Sequence, residues 1–238
     1  MIDYLAIGAH PDDVELGCGG TIAKLVNDGK KVAIVDLTKG ELGTRGTELT
    51  RKEEAKKASE ILGVETRVNL GLPDGFLENI RAYQMKIVEV IRHFRPTVVF
   101  ANAIRDRHPD HGKASKLIAD ACFLAGLVKI ETEYQGEKQE AWRPKKIFNY
   151  IQWEEIQPDF VVDISETMDT KVKACLAYKT QFYDPDSKEP MTPIATKDFL
   201  DSLTYRAQNL GRLSGVAYAE GFTSRQMIAV KNFDNFIL

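Results

Sequence analysis

The chain has 238 residues, enough for one large α/β domain or two small ones, and its 43% hydrophobic and 28% charged residues are ordinary for a globular protein. A net charge of −3 argues against a nucleic-acid-binding face, and no apolar run approaches the roughly eighteen residues of a membrane-spanning helix. Because Met1-Ile2-Asp3 lacks the basic start of a signal peptide and the cysteines (Cys18, Cys122, Cys175) are few and widely spaced, we expect a reduced, cytoplasmic protein.

Apolar runs alternate with amphipathic helical patterns along the chain, which is typical of strands covered by helices on both faces. We predict strands at residues 4–9, 31–37, 67–70, 97–101, 146–153 and 160–164, and helices at 21–28, 50–62, 83–94, 112–124, 167–182 and 199–213. This alternation predicts a Rossmann-like, doubly wound α/β fold with a mostly parallel sheet. We expect a single domain over residues 1–238 with an irregular C-terminal third.

Three segments are predicted to interrupt this pattern. Gly17-Cys18-Gly19-Gly20 is expected to form a tight turn with Cys18 packed inside it, metal ligation by Cys18 being the alternative. Residues 38–49 form a long polar loop with three glycines, followed by a predicted capping box at Thr50-Arg51-Lys52-Glu53. Residues 183–193 hold three prolines and three acids, and we expect a lid, an oligomer contact or a plain surface loop there.

Histidine and aspartate cluster directly after two of the predicted strands. His10-Pro11-Asp12-Asp13 follows the first strand, and His108-Pro109-Asp110-His111 follows the strand at 97–101. Each motif alone is typical of a turn, but three of the four histidines in the chain lie in these two loops. Ligand sites of open α/β sheets lie outside the carboxyl ends of the strands, so the two motifs are expected to meet there. The combination predicts a zinc site with nitrogen and oxygen ligands.

The spacing of the two motifs indicates a role for most of their side chains. His10, Asp13 and His111 give a His-Asp-His ligand set, which leaves one position open as in catalytic zinc sites. Asp12 is then free to act as a general base toward a bound water. His108, when protonated, is free to stabilise a developing oxyanion or to donate a proton to a leaving amine.

Two further residues are singled out outside the ligand set. Asp110 is expected to orient an imidazole from behind, as carboxylates beside zinc-bound histidines often do. Arg51 lies in the first turn of a predicted helix, where acidic residues are preferred. This position indicates a function for Arg51, with a solvated arginine as the alternative.

The paired motifs resemble those of the zinc-dependent N-acetylglucosaminyl deacetylases, the PIG-L/LmbE-like family. The resemblance covers essentially the whole chain and extends through Glu15, Gly17-Cys18-Gly19-Gly20-Thr21, Thr38-Lys39-Gly40-Glu41 and Tyr218-Ala219-Glu220. It implies a small N-acetylglucosaminyl substrate, a homo-oligomer, and the same zinc ligands, general base and oxyanion-stabilising histidine as the spacing does. The sequence looks most similar to the branch that removes acetate from N-acetylglucosaminyl-malate in bacillithiol biosynthesis, where an arginine at the place of Arg51 binds the malate side.

Alternatives from other classes stay open at this point. A receiver-type signalling domain also carries an acid pair after its first strand and binds magnesium, but it needs no histidine at the metal and about half this length. A non-catalytic zinc module normally has a closed site, often made with cysteine, whereas Asp12 and His108 are spare here. Among enzymes, deacetylases of free N-acetylglucosamine or chitobiose and amidases of thiol conjugates are the rivals.

Overall fold

A seven-stranded sheet runs through the computed structural model, which describes residues 1–236. The strands are β1 (Tyr4–Gly8), β2 (Val32–Thr38), β3 (Thr66–Leu72), β4 (Val98–Ala101), β5 (Glu133–Tyr134), β6 (Glu137–Lys138), β7 (Lys146–Tyr150), β8 (Phe160–Asp163) and β9 (Ala219–Ser224). The helices are α1 (Asp13–Asn27), α2 (Glu48–Leu62), α3 (Arg81–Phe94), α4 (Pro109–Ala125), α5 (Met168–Leu176) and α6 (Lys197–Ser214). β5 and β6 form a separate hairpin within the stretch from 131 to 142.

The strand order of the sheet is β3-β2-β1-β4-β7-β9-β8. The first five of these strands pair in parallel, whereas β9 runs antiparallel to both β7 and β8. The predicted doubly wound, mostly parallel fold is therefore confirmed. The strand order reverses between β1 and β4, which lie side by side, and ligands of such sheets bind in the crevice at this reversal.

Helices cover both faces of the sheet because successive residues of the central strands point to opposite sides. In β1, Leu5 and Ile7 pack into one core with residues of α3 and α4, and Ala6 packs into the other core with residues of α1 and α2. The result is a helix–sheet–helix arrangement in which β1 is buried on both faces. None of the helices within residues 1–236 has the length and apolar character needed to cross a membrane.

The first helix is longer than predicted, because the glycine-rich segment lies inside it. α1 begins at Asp13 rather than at residue 21, and its one non-helical residue is Cys18 (φ −148°, ψ 24°). The glycines serve close packing rather than a turn: a Cβ atom at Gly17 would lie 2.1 Å from the ring of Tyr150. Cys18 is fully buried in the apolar core, as expected for a packed residue.

The second helix begins two residues before its predicted start. Thr47 is the N-cap, its hydroxyl accepts a hydrogen bond from the Thr50 amide, and the Thr50 hydroxyl accepts one from the Thr47 amide. The predicted capping box between Thr50 and Glu53 is therefore wrong, because Thr50 is already the third helical residue. Arg51 follows it, one turn into the helix.

The C-terminal third contains a strand that the sequence pattern did not predict. β9 lies between β7 and β8, so its pairing partners are distant in sequence. Two predicted elements are also shorter than expected, since the strand at 146–153 ends at Tyr150 and the helix at 167–182 ends at Leu176. The early end of β7 leaves Gln152 and Trp153 in a loop at the carboxyl edge of the parallel strands.

Candidate functional site

Both histidine motifs lie at the carboxyl edge of the sheet, where β1 and β4 end side by side. His10 follows β1, and Asp13 is the first residue of α1. His108 is the N-cap of α4, and His111 lies in the first turn of that helix. The ligand atoms of the three histidines all lie within 4.8 Å of one another. The sheet topology thus brings the two motifs together at the strand-order reversal.

Asp13 lies between two imidazoles. Its Oδ1 is 3.1 Å from Nε2 of His111, and its Oδ2 is 3.4 Å from Nδ1 of His10. Burial raises the pKa of Asp13, but the charge of His111 and the hydrogen bonds of both histidines outweigh burial and hold it well below its usual range. Asp13 thus contacts both imidazoles, one through each carboxylate oxygen, and imidazole nitrogens with a carboxylate are donors of the kind that zinc takes.

Each of these imidazoles has a carboxylate on its opposite nitrogen. Nε2 of His10 is 3.0 Å from Oδ1 of Asp74 and 3.4 Å from Oδ2 of Asp110, and Nδ1 of His111 is 3.0 Å from Oδ1 of Asp106. Carboxylates in this position fix the orientation of metal-binding imidazoles and raise their basicity. Asp110 thus lies beside His10, and its role in orienting an imidazole stays a prediction.

Sequence reasoning missed Asp74 and Asp106, although a signal was present. Asp74 lies in a Pro-Asp-Gly turn directly after β3, and Asp106 lies two residues before His108 in the loop after β4. Both are acids just beyond the carboxyl end of a parallel strand, where the site was expected. Asp74 is predicted as a turn residue because Pro-Asp-Gly is a typical turn sequence. Asp106 lies outside the two His-Pro-Asp motifs, so the motifs do not indicate it.

The surrounding carboxylates keep a proton on both imidazoles. Burial lowers the pKa of His111, but Asp13 and Asp106 outweigh burial and raise it to about 9. Burial also lowers the pKa of His10, but its three carboxylate neighbours raise it well above its usual value. Because metal ligation needs a neutral imidazole, metal binding at neutral pH displaces these protons.

Asp12 has an unusual backbone conformation and a buried side chain. Its φ of 110° is rare for a residue other than glycine, and such conformations cost about 1–3 kcal/mol and cluster at functional sites. Nη2 of Arg51 lies 3.3 Å from Oδ2 of Asp12 and also donates to the carbonyl of Pro11. Burial raises the pKa of Asp12 to about 7 even though the Arg51 charge opposes this shift. A carboxyl group with this pKa can exchange a proton near neutral pH.

His108 differs from the other two histidines in its hydrogen bonding. Its Nδ1 accepts a hydrogen bond from the backbone amide of Asp110 at 3.3 Å, which leaves the ring proton on Nε2. Burial and the charges of His10 and His111 lower the pKa of His108. The geometry therefore favours a neutral ring with an Nε2–H donor, rather than the protonated ring expected from the sequence.

These polar groups line a pocket of about 240 Å³. The apolar wall of the pocket consists of Leu16, Leu42, Trp153, Ile194, Phe199 and Leu203. The indole of Trp153 stacks on Phe199 at 5.4 Å between ring centroids, and the Arg107 guanidinium lies 4.3 Å from the same indole. A pocket that combines ionisable groups with apolar and aromatic side chains suits a small-molecule substrate.

Arg51 forms part of the pocket wall beside the glycine-rich loop. A Cβ atom at Gly40 would lie 3.1 Å from Cζ of Arg51, so the loop backbone packs directly on the guanidinium. The segment at 183–193 supports this loop, since Glu189 accepts a hydrogen bond from Nε of Arg45 at 3.3 Å. The 183–193 segment is thus tied to the pocket wall.

Comparison with known proteins places this site in a family. The profile of the PIG-L family, described as GlcNAc-PI de-N-acetylase, matches residues 5–122. A diacetylchitobiose deacetylase from Thermococcus kodakarensis is 34% identical over 227 residues, which cover 91% of this chain and 80% of that protein. A probable N-acetyl-alpha-D-glucosaminyl L-malate deacetylase 2 from Bacillus subtilis is 30% identical over 194 residues, which cover 74% of this chain and 82% of that protein.

A solved structure extends the similarity to the three-dimensional level. A conserved protein from Thermus thermophilus superimposes with a TM-score of 0.86 and 38% sequence identity, covering 97% of this chain and 98% of that one. Sequence, fold and the paired histidine motifs therefore agree. The chain belongs to the PIG-L/LmbE-like deacetylase family.

Proposed function

We propose that the protein is a zinc-dependent hydrolase that removes the N-acetyl group of an N-acetylglucosaminyl conjugate and releases acetate. One observation carries the proposal: two spare side chains, Asp12 and His108, line the same pocket as the donor set of His10, Asp13 and His111. A structural zinc site is normally closed and has no adjoining acid and base.

In this proposal His10, Asp13 and His111 would hold the zinc ion. Zinc bound there would supply a Lewis acid for the acetyl carbonyl and lower the pKa of a water to about 7, which suits an amide that is otherwise unreactive. The carboxylates behind the imidazoles turn the ligating nitrogens toward Asp13, so the donors are oriented in advance.

Asp12 then transfers the proton, and His108 stabilises the negative charge that develops on the acetyl oxygen. Asp12 accepts the proton of the attacking water, a role for which a pKa of about 7 is well matched. The Nε2–H of His108 donates to the acetyl oxygen as negative charge develops on it, an interaction that strengthens toward the transition state. The proton held by Asp12 is passed to the leaving amine, and the products are acetate and a free amine.

Among conjugates, we rank N-acetylglucosaminyl-malate of bacillithiol biosynthesis first. The Bacillus subtilis relative supports this ranking, and so does the guanidinium of Arg51 in the pocket wall, since arginine binds a carboxylate with two parallel hydrogen bonds. The Thermococcus kodakarensis relative supports a chitobiose substrate instead. Free N-acetylglucosamine and the amides of thiol conjugates are further alternatives.

Turnover assays test both the deacetylase activity and the choice of the malate conjugate as substrate. Zinc-loaded protein is incubated separately with N-acetylglucosaminyl-malate, N-acetylglucosamine and diacetylchitobiose, and acetate and free amine are measured. We expect the highest kcat/KM for the malate conjugate. Absence of acetate release from all three substrates would overturn the deacetylase proposal, whereas a preference for diacetylchitobiose would overturn only the malate assignment.

The proposed ligand set is tested by the zinc content of purified variants. His111→Ala is expected to lose most of the bound zinc, because it removes one of three protein ligands. His93→Ala is the matched control, since His93 is exposed on α3 and packs against Tyr134 away from the pocket. Full zinc content in His111→Ala would exclude it as a ligand and make His108 the replacement.

We also propose that the protein forms a homo-oligomer. Met227, Ile228 and Val230 are 96%, 43% and 40% exposed, and neighbouring apolar side chains on a surface often mark a protein interface. Light scattering coupled to size-exclusion chromatography measures the mass in solution. A monomer across the accessible concentration range would contradict this proposal.

A further inference from the structure

Two buried amide side chains, outside the histidine motifs, donate hydrogen bonds to Asp13. Nε2 of Gln152 lies 2.8 Å from Oδ1 of Asp13, and Nδ2 of Asn102 lies 3.0 Å from Oδ2. Gln152 is 7% exposed, and Asn102 is fully buried. Oδ1 of Asp13 therefore faces one imidazole and one side-chain amide, whereas Oδ2 faces one imidazole, one side-chain amide and the backbone amide of His10 at 2.9 Å.

The orientation of both amides is fixed by their oxygen atoms. Oε1 of Gln152 accepts hydrogen bonds from Nδ2 of Asn102 at 3.0 Å and from the backbone amide of Ala103 at 3.2 Å. Oδ1 of Asn102 accepts one from the backbone amide of Ala9 at 2.9 Å. Since the oxygens are already bound to donors, the NH₂ groups must point toward Asp13.

The backbone around Gln152 is held as well. Arg206 of α6 donates a hydrogen bond to the carbonyl oxygen of Gln152, and Gln152 itself follows closely on the end of β7. Nε2 of Gln152 also lies 3.4 Å from Nε2 of His111, so its amide stands beside two of the proposed ligand atoms. A side chain tied at its backbone, its oxygen and its nitrogen is well placed to fix a neighbouring carboxylate.

We propose that Gln152, together with Asn102, is a positioning residue that holds the Asp13 carboxylate in the orientation needed for zinc binding. This inference rests on the proposed zinc-dependent function. The two amides act as donors without adding charge, so the negative charge of Asp13 stays available to the metal. Together they form an amide clamp, contributed by the loops after β4 and β7. Gln152 belongs to the part of the chain beyond residue 122, where the family profile match ends.

The clamp predicts a specific loss of metal affinity. Gln152→Met keeps the volume of the side chain but removes the donor to Asp13. Partners of this kind typically contribute 10–100-fold to metal affinity. We therefore expect the zinc dissociation constant, measured by competition with a chromophoric chelator, to rise about 10–100-fold. The visible absorption bands of the cobalt(II)-substituted protein are expected to change, because the ligand geometry changes.

Gln181→Met is the matched control. Gln181 is 6% exposed and lines the same pocket, but its Nε2 donates to the carbonyl of Arg45 and to Thr180 instead of to Asp13. Its replacement is expected to leave the zinc dissociation constant and the cobalt spectrum unchanged. If Gln152→Met fails to fold, Gln152→Ala is used, with the same expected rise in the zinc dissociation constant.

Zinc affinity in the Gln152 variant equal to that of the wild type would overturn the clamp. An equal loss in both variants would also overturn it, because the effect would then be general to the pocket. If the wild type itself binds no zinc, the proposed function fails and the clamp fails with it. The wild-type titration therefore separates the two cases.

Discussion

The guanidinium of Arg51 lies 3.3 Å from the carboxylate of Asp12, and both side chains are at least nine-tenths buried. The family resemblance implies that Arg51 binds the malate side of a substrate, and Arg51 does line the pocket. Its contact with Asp12 adds a second role, because a buried cation beside a carboxylate favours the ionised form. The effect of Arg51 on the Asp12 pKa is tested by a pH profile, and its role in substrate binding is tested by comparing two substrates.

Arg51→Ala is expected to move the acidic limb of the pH profile of kcat/KM to higher pH. Burial raises the pKa of Asp12 to about 7 and Arg51 opposes that shift, so removal of Arg51 raises the pKa further. A general base acts only when deprotonated, and a higher pKa therefore lowers activity at a given pH. Profiles measured with N-acetylglucosamine isolate this effect, because that substrate has no carboxylate. An unmoved limb would contradict electrostatic coupling between the two residues.

Arg51→Ala also tests whether Arg51 binds the carboxylate of N-acetylglucosaminyl-malate. A charge-assisted hydrogen bond contributes roughly 1.5–3 kcal/mol, or about one to two orders of magnitude in kcat/KM. Arg51→Ala is expected to lose that much more activity toward N-acetylglucosaminyl-malate than toward N-acetylglucosamine at a pH well above the acidic limb. Arg51→Lys restores the charge but not the two-pronged geometry, so partial recovery is expected. Equal losses for both substrates would remove Arg51 from malate binding.

Asp12→Asn is expected to retain zinc and to lose about two to four orders of magnitude in kcat, the usual contribution of a general base. Asparagine is the appropriate replacement, because it tolerates the positive φ of 110° better than most other residues. Zinc content and turnover are measured on the same preparation. Loss of zinc would make Asp12 a ligand, and normal turnover would remove it from the mechanism.

His108→Ala is expected to lower kcat about 10²–10³-fold with a smaller change in KM, because the oxyanion exists only near the transition state. His108→Gln retains an N–H donor and is expected to recover part of the loss. A change confined to KM would mean that His108 only binds substrate.

The sequence predicted the two histidine motifs of the site, because each is a short, continuous segment that can be recognised without the fold. Each histidine motif follows a buried strand, and the rule for open α/β sheets brings such loops together when the strands are neighbours. β1 and β4 are neighbours, so His10 and His111 converge although they are about a hundred residues apart in the chain.

The residues and the strand that the sequence did not predict depend on long-range contacts, which leave no periodic pattern in the sequence. Asp74 is indistinguishable from an ordinary turn residue until β3 is known to end near β1. Gln152 was assigned to a strand, and only the early end of β7 at Tyr150 turns it toward Asp13. The internal strand β9 was missed for a similar reason, since Ala219–Ser224 lacks a strong apolar alternation and pairs with strands far away in sequence.

The glycine-rich segment at the start of α1 provides a prediction about stability. Gly17→Ala would place a Cβ atom 2.1 Å from the ring of Tyr150, which is fully buried and donates a hydrogen bond to the carbonyl of Ile7. Overpacking of this kind costs about 1–3 kcal/mol, so the midpoint of urea unfolding is expected to fall. At Gly19 the nearest atom to a new Cβ is Cγ of Lys171 at 3.4 Å, an ordinary contact.

Gly19→Ala is therefore the matched control, and it is expected to be neutral or to stabilise the protein by up to about 1 kcal/mol, because alanine favours helix over glycine. Gly17→Ala and Gly19→Ala also test whether the packing of α1 against β7 affects zinc binding. α1 begins at Asp13, so a helix pushed away from β7 by an alanine at residue 17 also displaces a proposed ligand. Gly17→Ala is expected to weaken zinc binding in a chelator competition, whereas Gly19→Ala is not. Equal stability and equal zinc affinity in the two variants would show that α1 can shift without disturbing the carboxyl edge of the sheet.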